Sequence, residues 1–564
     1  MSETPATVPV KETKAQKAER LKIEHNPWDI FDDVRAFARA GRSSVPPEWS
    51  MYFRWWGIYT QGDGAGVTGG VGGEGKSTDY FMMRVGLPNG IIKSNQARVL
   101  ALIAKKYGRN LVDVTVRQNV QYHWLTIESL PEIVDLLSTV GLSSKGACGD
   151  VVRNVTGCPL AGVAADEILD ASPLALEISR LLSGNSDFYN LPRKFKICVT
   201  GCPLWCSYPE INEIGLTAVR RNAEIGYALR VGGGLSTAPH LGVKLNAFIR
   251  QDQALDAMRG VAQIFNDQDV LRESRDRARM KYLFLREGWT AEHFLGELES
   301  RLKYRLDPAP EEQVPSDVLR DHVGIHAQKQ PDLHYVGASI LGGRLTGEQL
   351  EAAAELAESF GTGDLRATIM QNLVFLNIPR NRSTEMAREL EKIGMQVEGS
   401  FFRRGTIACT GTEFCKLAIT ETKGFARWLV DEMETRLPEF DQQLKLNVTG
   451  CTNSCGQHWI ADIGIVGKKV KHEGKMVDAY YFCLGGALGE HAHVARTIGY
   501  RCVATQIPDA IERLLRSYLR ERQPEENLRA YFARHSEAEL LARLDGSTTQ
   551  AVMDGAQVPS LTAE

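Results

Sequence analysis

The 564-residue chain lacks any apolar run approaching the roughly 18 residues that a membrane-spanning helix needs, so no membrane partner is expected. It also lacks an excess of either charge. Its 66 basic and 70 acidic residues leave a net charge of −4, which disfavours a protein that coats nucleic acid but leaves room for a local basic pocket. Residues Met1 to Arg20 mix Glu and Lys without the apolar core of a signal peptide, so cytoplasm is the expected location. Nor is there an even set of cysteines. The count of 11 is odd, which in a large chain without a secretion signal argues against a disulfide framework and for metal or redox use. What is present is ordinary for a globular protein, with 43% hydrophobic and 24% charged residues. The length fits roughly three to five domains.

The chain repeats itself. Residues 110–142 and 364–395 each read as an alternating apolar strand, a Gln-Asn turn, a second strand and an amphipathic helix. Gln118-Asn119 aligns with Gln371-Asn372 at an offset of 253. RNVTGCPLAG at 153–162 lies against ACTGTEFCKLA at 408–418 at an offset of 254, setting Thr156-Gly157 on Thr410-Gly411. FKICVTGCPLWCSYPEINEIGL at 195–216 lies against LKLNVTGCTNSCGQHWIADIGIVG at 444–467 at 249. A period of about 250 residues is too long for a solenoid. The expected architecture is α/β (α+β) with two halves about a pseudo-twofold axis, flanked by a polar arm at 1–45 and a polar tail at 546–564 that are mobile or draped over the body.

Eight of the cysteines fall in two groups. In the second half they read Cys409-x5-Cys415 and Cys451-x3-Cys455. Four soft anionic ligands in two close pairs on glycine-flanked turns suit a cubane iron–sulfur cluster, and glycines such as Gly450 let the backbone approach it. Buried free thiols and zinc are the alternatives; zinc favours gaps of about two to four residues within each pair, and five is loose.

These motifs, together with RQNVQYH at 117–123 and LPRKFK at 191–196, resemble the sirohaem-dependent nitrite and sulfite reductases over about residues 50 to 530. The resemblance implies a small ferredoxin-like α+β unit in each half, at 46–142 and 311–399. It also implies a larger α/β sirohaem-binding unit in each, at 143–310 and 400–545. It implies a 4Fe–4S cluster on Cys409, Cys415, Cys451 and Cys455, with Cys455 also the axial ligand of the sirohaem iron. A thiolate shared in this way leaves no gap for the electron to cross. Sirohaem carries eight carboxylates, and the candidates to meet them are Gln118, Asn119, His123, Gln371, Asn372, Arg403 and Arg404, with Arg117. Around the substrate anion the resemblance places Arg117, Arg153, Lys194 and Lys196. Such a site must hold negative charge and deliver protons as oxygens leave as water.

Lys196 stands where nitrite-type members usually carry Asn, and Tyr122-His123 and Lys416-Leu417 are likewise sulfite-like. HVGIHAQKQPDL at 322–333 and residues 408–423 resemble nitrite reductases instead. Because function lives in the site, the expected reaction is six-electron reduction of sulfite to sulfide. Nitrite to ammonium is the alternative, and a non-catalytic sirohaem protein the distant one. No flavin or nicotinamide domain is visible, so electrons are expected from an outside donor, which the resemblance implies is a ferredoxin; a monomeric enzyme is expected. Two further features are expected to carry no chemistry. Gly70-x4-Gly75-Lys76-Ser77 matches a phosphate loop but sits in a glycine run, which reads as a surface insertion. Cys198, Cys202 and Cys206 hint at a second cluster, but the offset of 254 puts Val155 and Ala161 opposite Cys409 and Cys415. The first half is therefore expected to grip the cofactor without building a cluster, although Cys158 lies close by.

Overall fold

The computed structural model describes residues 12–61, 79–316 and 319–547; the phosphate-loop match lies outside them. They form four five-stranded sheets. Two are wholly antiparallel, and each borrows its last strand from the other half. The sheet of Ile58–Thr60, Phe81–Val85, Val120–Leu125 and Leu111–Val114 is completed by Arg344–Thr346, with Leu345 opposite Val112. The sheet of Gly324–Ala327, Leu333–Ala338, Leu373–Pro379 and Asp364–Ala367 is completed by Ile91–Lys93, with Ile92 opposite Leu365. Alternation drives this: Phe81, Met83 and Val85 are buried while Met82 and Arg84 are only half-buried. Two helices, Ser94–Tyr107 and Gly347–Phe360, pack through small faces, Ala97, Ala101 and Ala104 on one and Ala353, Ala354 and Ala357 on the other. The second is started by a capping box between Thr346 and Gln349. The two small units thus share one apolar core.

The other two sheets are mixed. Thr156–Gly157, Ile197–Thr200 and Ile214–Arg221 run parallel, and Glu224–Val231 and Val243–Arg250 follow antiparallel. Thr406–Ala408, Leu446–Thr449, Ile463–His472, Lys475–Leu484 and Arg496–Val503 repeat the pattern. The ladders correct the repeat's expected register. Gly157 pairs with Val199, and Ala408 with Val448. The same two residues donate their N–H to Gln118 Oε1 at 2.9 Å and to Gln371 Oε1 at 3.0 Å. Gly157 therefore corresponds to Ala408, and Cys158, not Val155, to Cys409. Further on, Ile168 N–H bonds Gly201 O as Ile419 N–H bonds Gly450 O, which sets Ala164, not Ala161, on Cys415. The repeated Thr-Gly dipeptides mislead because the first is strand, whereas Gly411 opens a turn.

From residue 12 the arm is draped over the body. It forms helices Lys14–Glu24 and Phe31–Ala40, buries Trp28, Ile30 and Val34, and pins the fully buried Lys22 to Leu191 O at 3.0 Å. No helix of the described residues is long and apolar enough to cross a membrane.

Candidate functional site

Two adjacent parallel strands, Thr406–Ala408 and Leu446–Thr449, end on the same sheet edge, and each hands its chain to a cysteine loop. This brings Cys409 and Cys415 against Cys451 and Cys455. Cys409 Sγ accepts the Gly450 N–H at 3.2 Å. Left-handed Ser454 (φ 56°) and Gln457 (φ 58°) curl the second loop around Cys455. Cys455 is exposed while the other three thiols are half-buried. Burial, with the charge of Cys455 adding to it, pushes the Cys415 thiol up to about 12; burial takes Cys451 to about 11. Four thiolates at such a point need a metal to carry their charge. No three of them crowd within 4.8 Å as ligands of a single ion would, so their spread fits a multi-iron cluster.

Beneath the first loop lies a buried charge network. Asp113 accepts from Arg344 at 2.9 and 3.2 Å and sits 3.5 Å from Lys423, while Arg344 also grips Glu413 at 2.9 and 3.0 Å. Burial alone would raise the Asp113 carboxyl, but Lys423, His123 and Arg344 outweigh it and hold it well below the usual carboxylate range. His123 belongs here. Its Nδ1 lies 3.0 Å from Gln61 Oε1, its Nε2 lies 3.1 Å from Asp113 Oδ2, and its ring stacks on Phe414 at 3.8 Å. Both ring nitrogens have partners within this network, and the stacking on Phe414 sets the ring beside the loop that carries Cys415. Asp113→Asn leaves the buried Lys423 without its carboxylate partner and Arg344 with Glu413 alone, and is expected to cost about 3–5 kcal/mol of stability. Iron should be lost as the loop loosens. Thermal unfolding and iron content measured together check this, and a variant with wild-type values for both would refute the support role.

The four predicted pocket cations do come together. Arg117 donates to Asn212 Oδ1 at 2.9 Å and Asn154 O at 2.6 Å, and Arg153 donates to Gly149 O at 2.6 and 3.0 Å. Lys194 and Lys196 have neither hydrogen bond nor ion pair from Nζ among the described residues, and both feel Arg279 at close range. Burial, reinforced by Arg279 and Arg153, lowers Lys194 to about 7; burial with Arg117 and Arg279 holds Lys196 well below an ordinary lysine. Glu213 is the acid set among them, engaged by the Arg279 side chain and by Lys196 N–H at 2.8 Å. Cys455 acts electrostatically on Lys194 and on Arg84, so the pocket faces the exposed thiol of the cluster loops. Arg84 was missed from sequence. Its signal was a cation inside the apolar run FMMRVGL, on the face opposite Met83 and Val85.

The remaining candidates lie elsewhere. Gln118 and Gln371 are buried in the seam, where their amides reach Ala367 O and Val114 O of the opposite half at 3.0 and 3.1 Å. Asn119 and Asn372 are buried beside them, bonding Thr115 and the Ile340 N–H. Gln118 and Gln371 thereby bridge the two halves, while Asn119 and Asn372 brace turns within their own halves. Arg403 is paired with Glu434 and Asp431. Arg404, bound to Asp321 at 2.8 and 3.0 Å, lines a separate cavity of about 430 Å³.

The chain matches the family model described as the nitrite and sulphite reductase 4Fe-4S domain at residues 148–306 and 401–550. It matches the nitrite/sulfite reductase ferredoxin-like half domain at 74–140 and 326–393. It is similar to an assimilatory ferredoxin-dependent nitrite reductase of Haloferax mediterranei, at 34% identity over 92% of this chain and 91% of that one. It is equally similar to a ferredoxin sulfite reductase of Mycobacterium tuberculosis, at 36% over 93% and 95%. Among solved structures the Mycobacterium tuberculosis NirA protein superposes with a TM-score of 0.88 at 34% identity, covering 94% of this chain and 98% of that one.

Proposed function

The chain belongs to the nitrite and sulphite reductase family, and from that premise we propose that it reduces sulfite to sulfide with electrons from ferredoxin. The family's cofactors are a 4Fe–4S cluster and sirohaem; when bound, they supply the electrons and the iron at which the substrate's oxygens are lost. Cys409, Cys415, Cys451 and Cys455 would hold the cluster, and Cys455, alone exposed among them, would be shared with the sirohaem iron. The observation that carries the choice of sulfite is the density of positive charge. Lys194, Lys196, Arg117, Arg153 and Arg279 gather with one acid, Glu213, among them, and the Nζ atoms of both lysines are left to meet an anion, whose approach favours their charged form. Sulfite near neutral pH is a mixture of monoanion and dianion and nitrite a monoanion, so each cation gains up to about twice the Coulomb energy with the sulfite dianion.

The test is kcat/KM for sulfite and for nitrite side by side with reduced ferredoxin. A ratio well above one supports the reading, and one well below it makes this a nitrite reductase. No turnover of either, in protein loaded with sirohaem, would point to a non-catalytic role.

Lys194 adds a pH signature. With its free-enzyme value near 7, it is protonated and able to bind the anion and donate a proton below that pH, and neutral above it. The expected result is a fall in kcat/KM above about pH 7 that flattens in Lys194→Arg, whose side chain stays charged. Comparing the two enzymes at each pH cancels the titration of sulfite itself. Parallel profiles would remove Lys194 as the titrating group.

A further inference from the structure

The corrected register gives the first half three of the four cysteine positions of the cluster loops. Cys158 stands for Cys409, Cys202 for Cys451 and Cys206 for Cys455, and Ala164 replaces Cys415. These three side chains behave differently from the second-half set. Their ligand atoms all lie within 4.8 Å of one another, all three are buried, and Cys206 Sγ is 3.5 Å from Cys158 Sγ. They are the group of this kind found among the described residues.

We infer that the first half binds one zinc ion through the thiolates of Cys158, Cys202 and Cys206, with the fourth position on the side of Ala164, which lines the 430 Å³ cavity. Three arguments converge. The spacing is that of a single tetrahedral ion, whose ligand sulfurs at about 2.3 Å from the metal fall a little under 4 Å apart; a cubane spreads its ligands more widely. The Cys202-x3-Cys206 gap is also one that zinc favours.

The sulfurs, moreover, face one another. Cys198, next door, shows what an ordinary buried thiol does in this sheet: it bonds Ser207 O at 3.3 Å and Ser207 Oγ at 3.2 Å. The trio converges on a point instead.

The surroundings also suit an anionic zinc centre. Three thiolates and one zinc ion, formed with release of three protons, leave one net negative charge, and Arg320 Nη1 approaches Cys202 Sγ at 3.9 Å. His322 lines the same cavity, 2% exposed, with neither ring nitrogen hydrogen-bonded and a left-handed backbone (φ 62°). It is the unpartnered donor on the side where Ala164 leaves the fourth position open. The ion would tie the 158–164 and 202–206 loops together, as the cluster ties their counterparts across the pseudo-twofold.

The test is metal analysis of the holoenzyme as isolated, followed by zinc-edge X-ray absorption. The expected result is about one zinc per chain beside the iron of cluster and sirohaem, with three sulfurs at about 2.3 Å and one nitrogen or oxygen. In Cys202→Ser zinc should fall to background while iron content and the sirohaem absorption band persist. A holoenzyme with full iron and no zinc would overturn the inference. So would a zinc shell without sulfur, or zinc retained in both Cys202→Ser and Cys206→Ser. Because iron and sirohaem are read in the same sample, failure here is distinguishable from failure of the reductase reading.

Discussion

Replacing Cys455 by serine is expected to reduce turnover of either anion by roughly 10³-fold or more, the scale on which removing one member of a catalytic unit falls. The reason lies in the loop's geometry. Cys409, Cys415 and Cys451 are half-buried around the cluster position, whereas Cys455 is exposed toward the pocket and sensed by Arg84 and Lys194. A serine hydroxyl keeps its proton where a thiol gives one up, and it is a poor ligand to a soft metal. The variant should therefore lose the spectroscopic coupling between cluster and sirohaem even where iron is retained. Cys483→Ser is the matched control, since Cys483 is buried in a strand away from both loops; its spectrum and rate should be those of the parent. Normal turnover by Cys455→Ser would refute the shared thiolate, and iron content separates that outcome from simple cluster loss.

The candidate cluster cysteines stand out in the sequence because thiolates in close pairs on glycine turns have few other uses, and sequence spacing alone brings each pair together. The duplication was legible as well, since two strand–turn–strand–helix blocks share one pattern. Its register in the larger units was not. Thr156-Gly157 and Thr410-Gly411 look alike as letters, but only hydrogen-bond ladders show that one is strand and the other turn. Three residues of slip were enough to hide that Cys158 stands for Cys409. The strand exchange between halves was equally invisible, because Arg344–Thr346 and Ile91–Lys93 carry no mark of which sheet they join. The seam role of Gln118 and Gln371 was hidden too: a duplicated fold needs buried polar side chains to satisfy backbone groups where its halves meet. Arg84 went unnoticed because one cation in an apolar strand reads as noise until the strand's half-buried face is seen.

Lys196→Asn should shift preference from sulfite toward nitrite by roughly tenfold. Removing one cation from beside a bound anion costs about 2–5 kcal/mol when the charges are desolvated, and the loss is larger for a dianion than for a monoanion. Sulfite kcat/KM should accordingly fall by roughly 10²-fold and nitrite kcat/KM by roughly tenfold. Lys196→Arg, which keeps the charge, should hold the parental ratio even if its bulk slows both reactions. A second consequence follows from the crowding itself. Burial, Arg117, Arg279 and Lys194 together hold Lys196 well below an ordinary lysine, so in the free enzyme it is neutral at pH values where a lysine in water is charged. An arriving dianion reverses that balance and draws a proton onto Nζ. Sulfite binding should therefore take up protons, measurable as a buffer-dependent binding enthalpy, and Lys196→Asn should lower that uptake. If the ratio and the proton uptake both stay unchanged in Lys196→Asn, the charge argument for sulfite fails. If the uptake disappears while the ratio holds, Lys196 serves proton supply rather than the choice of anion.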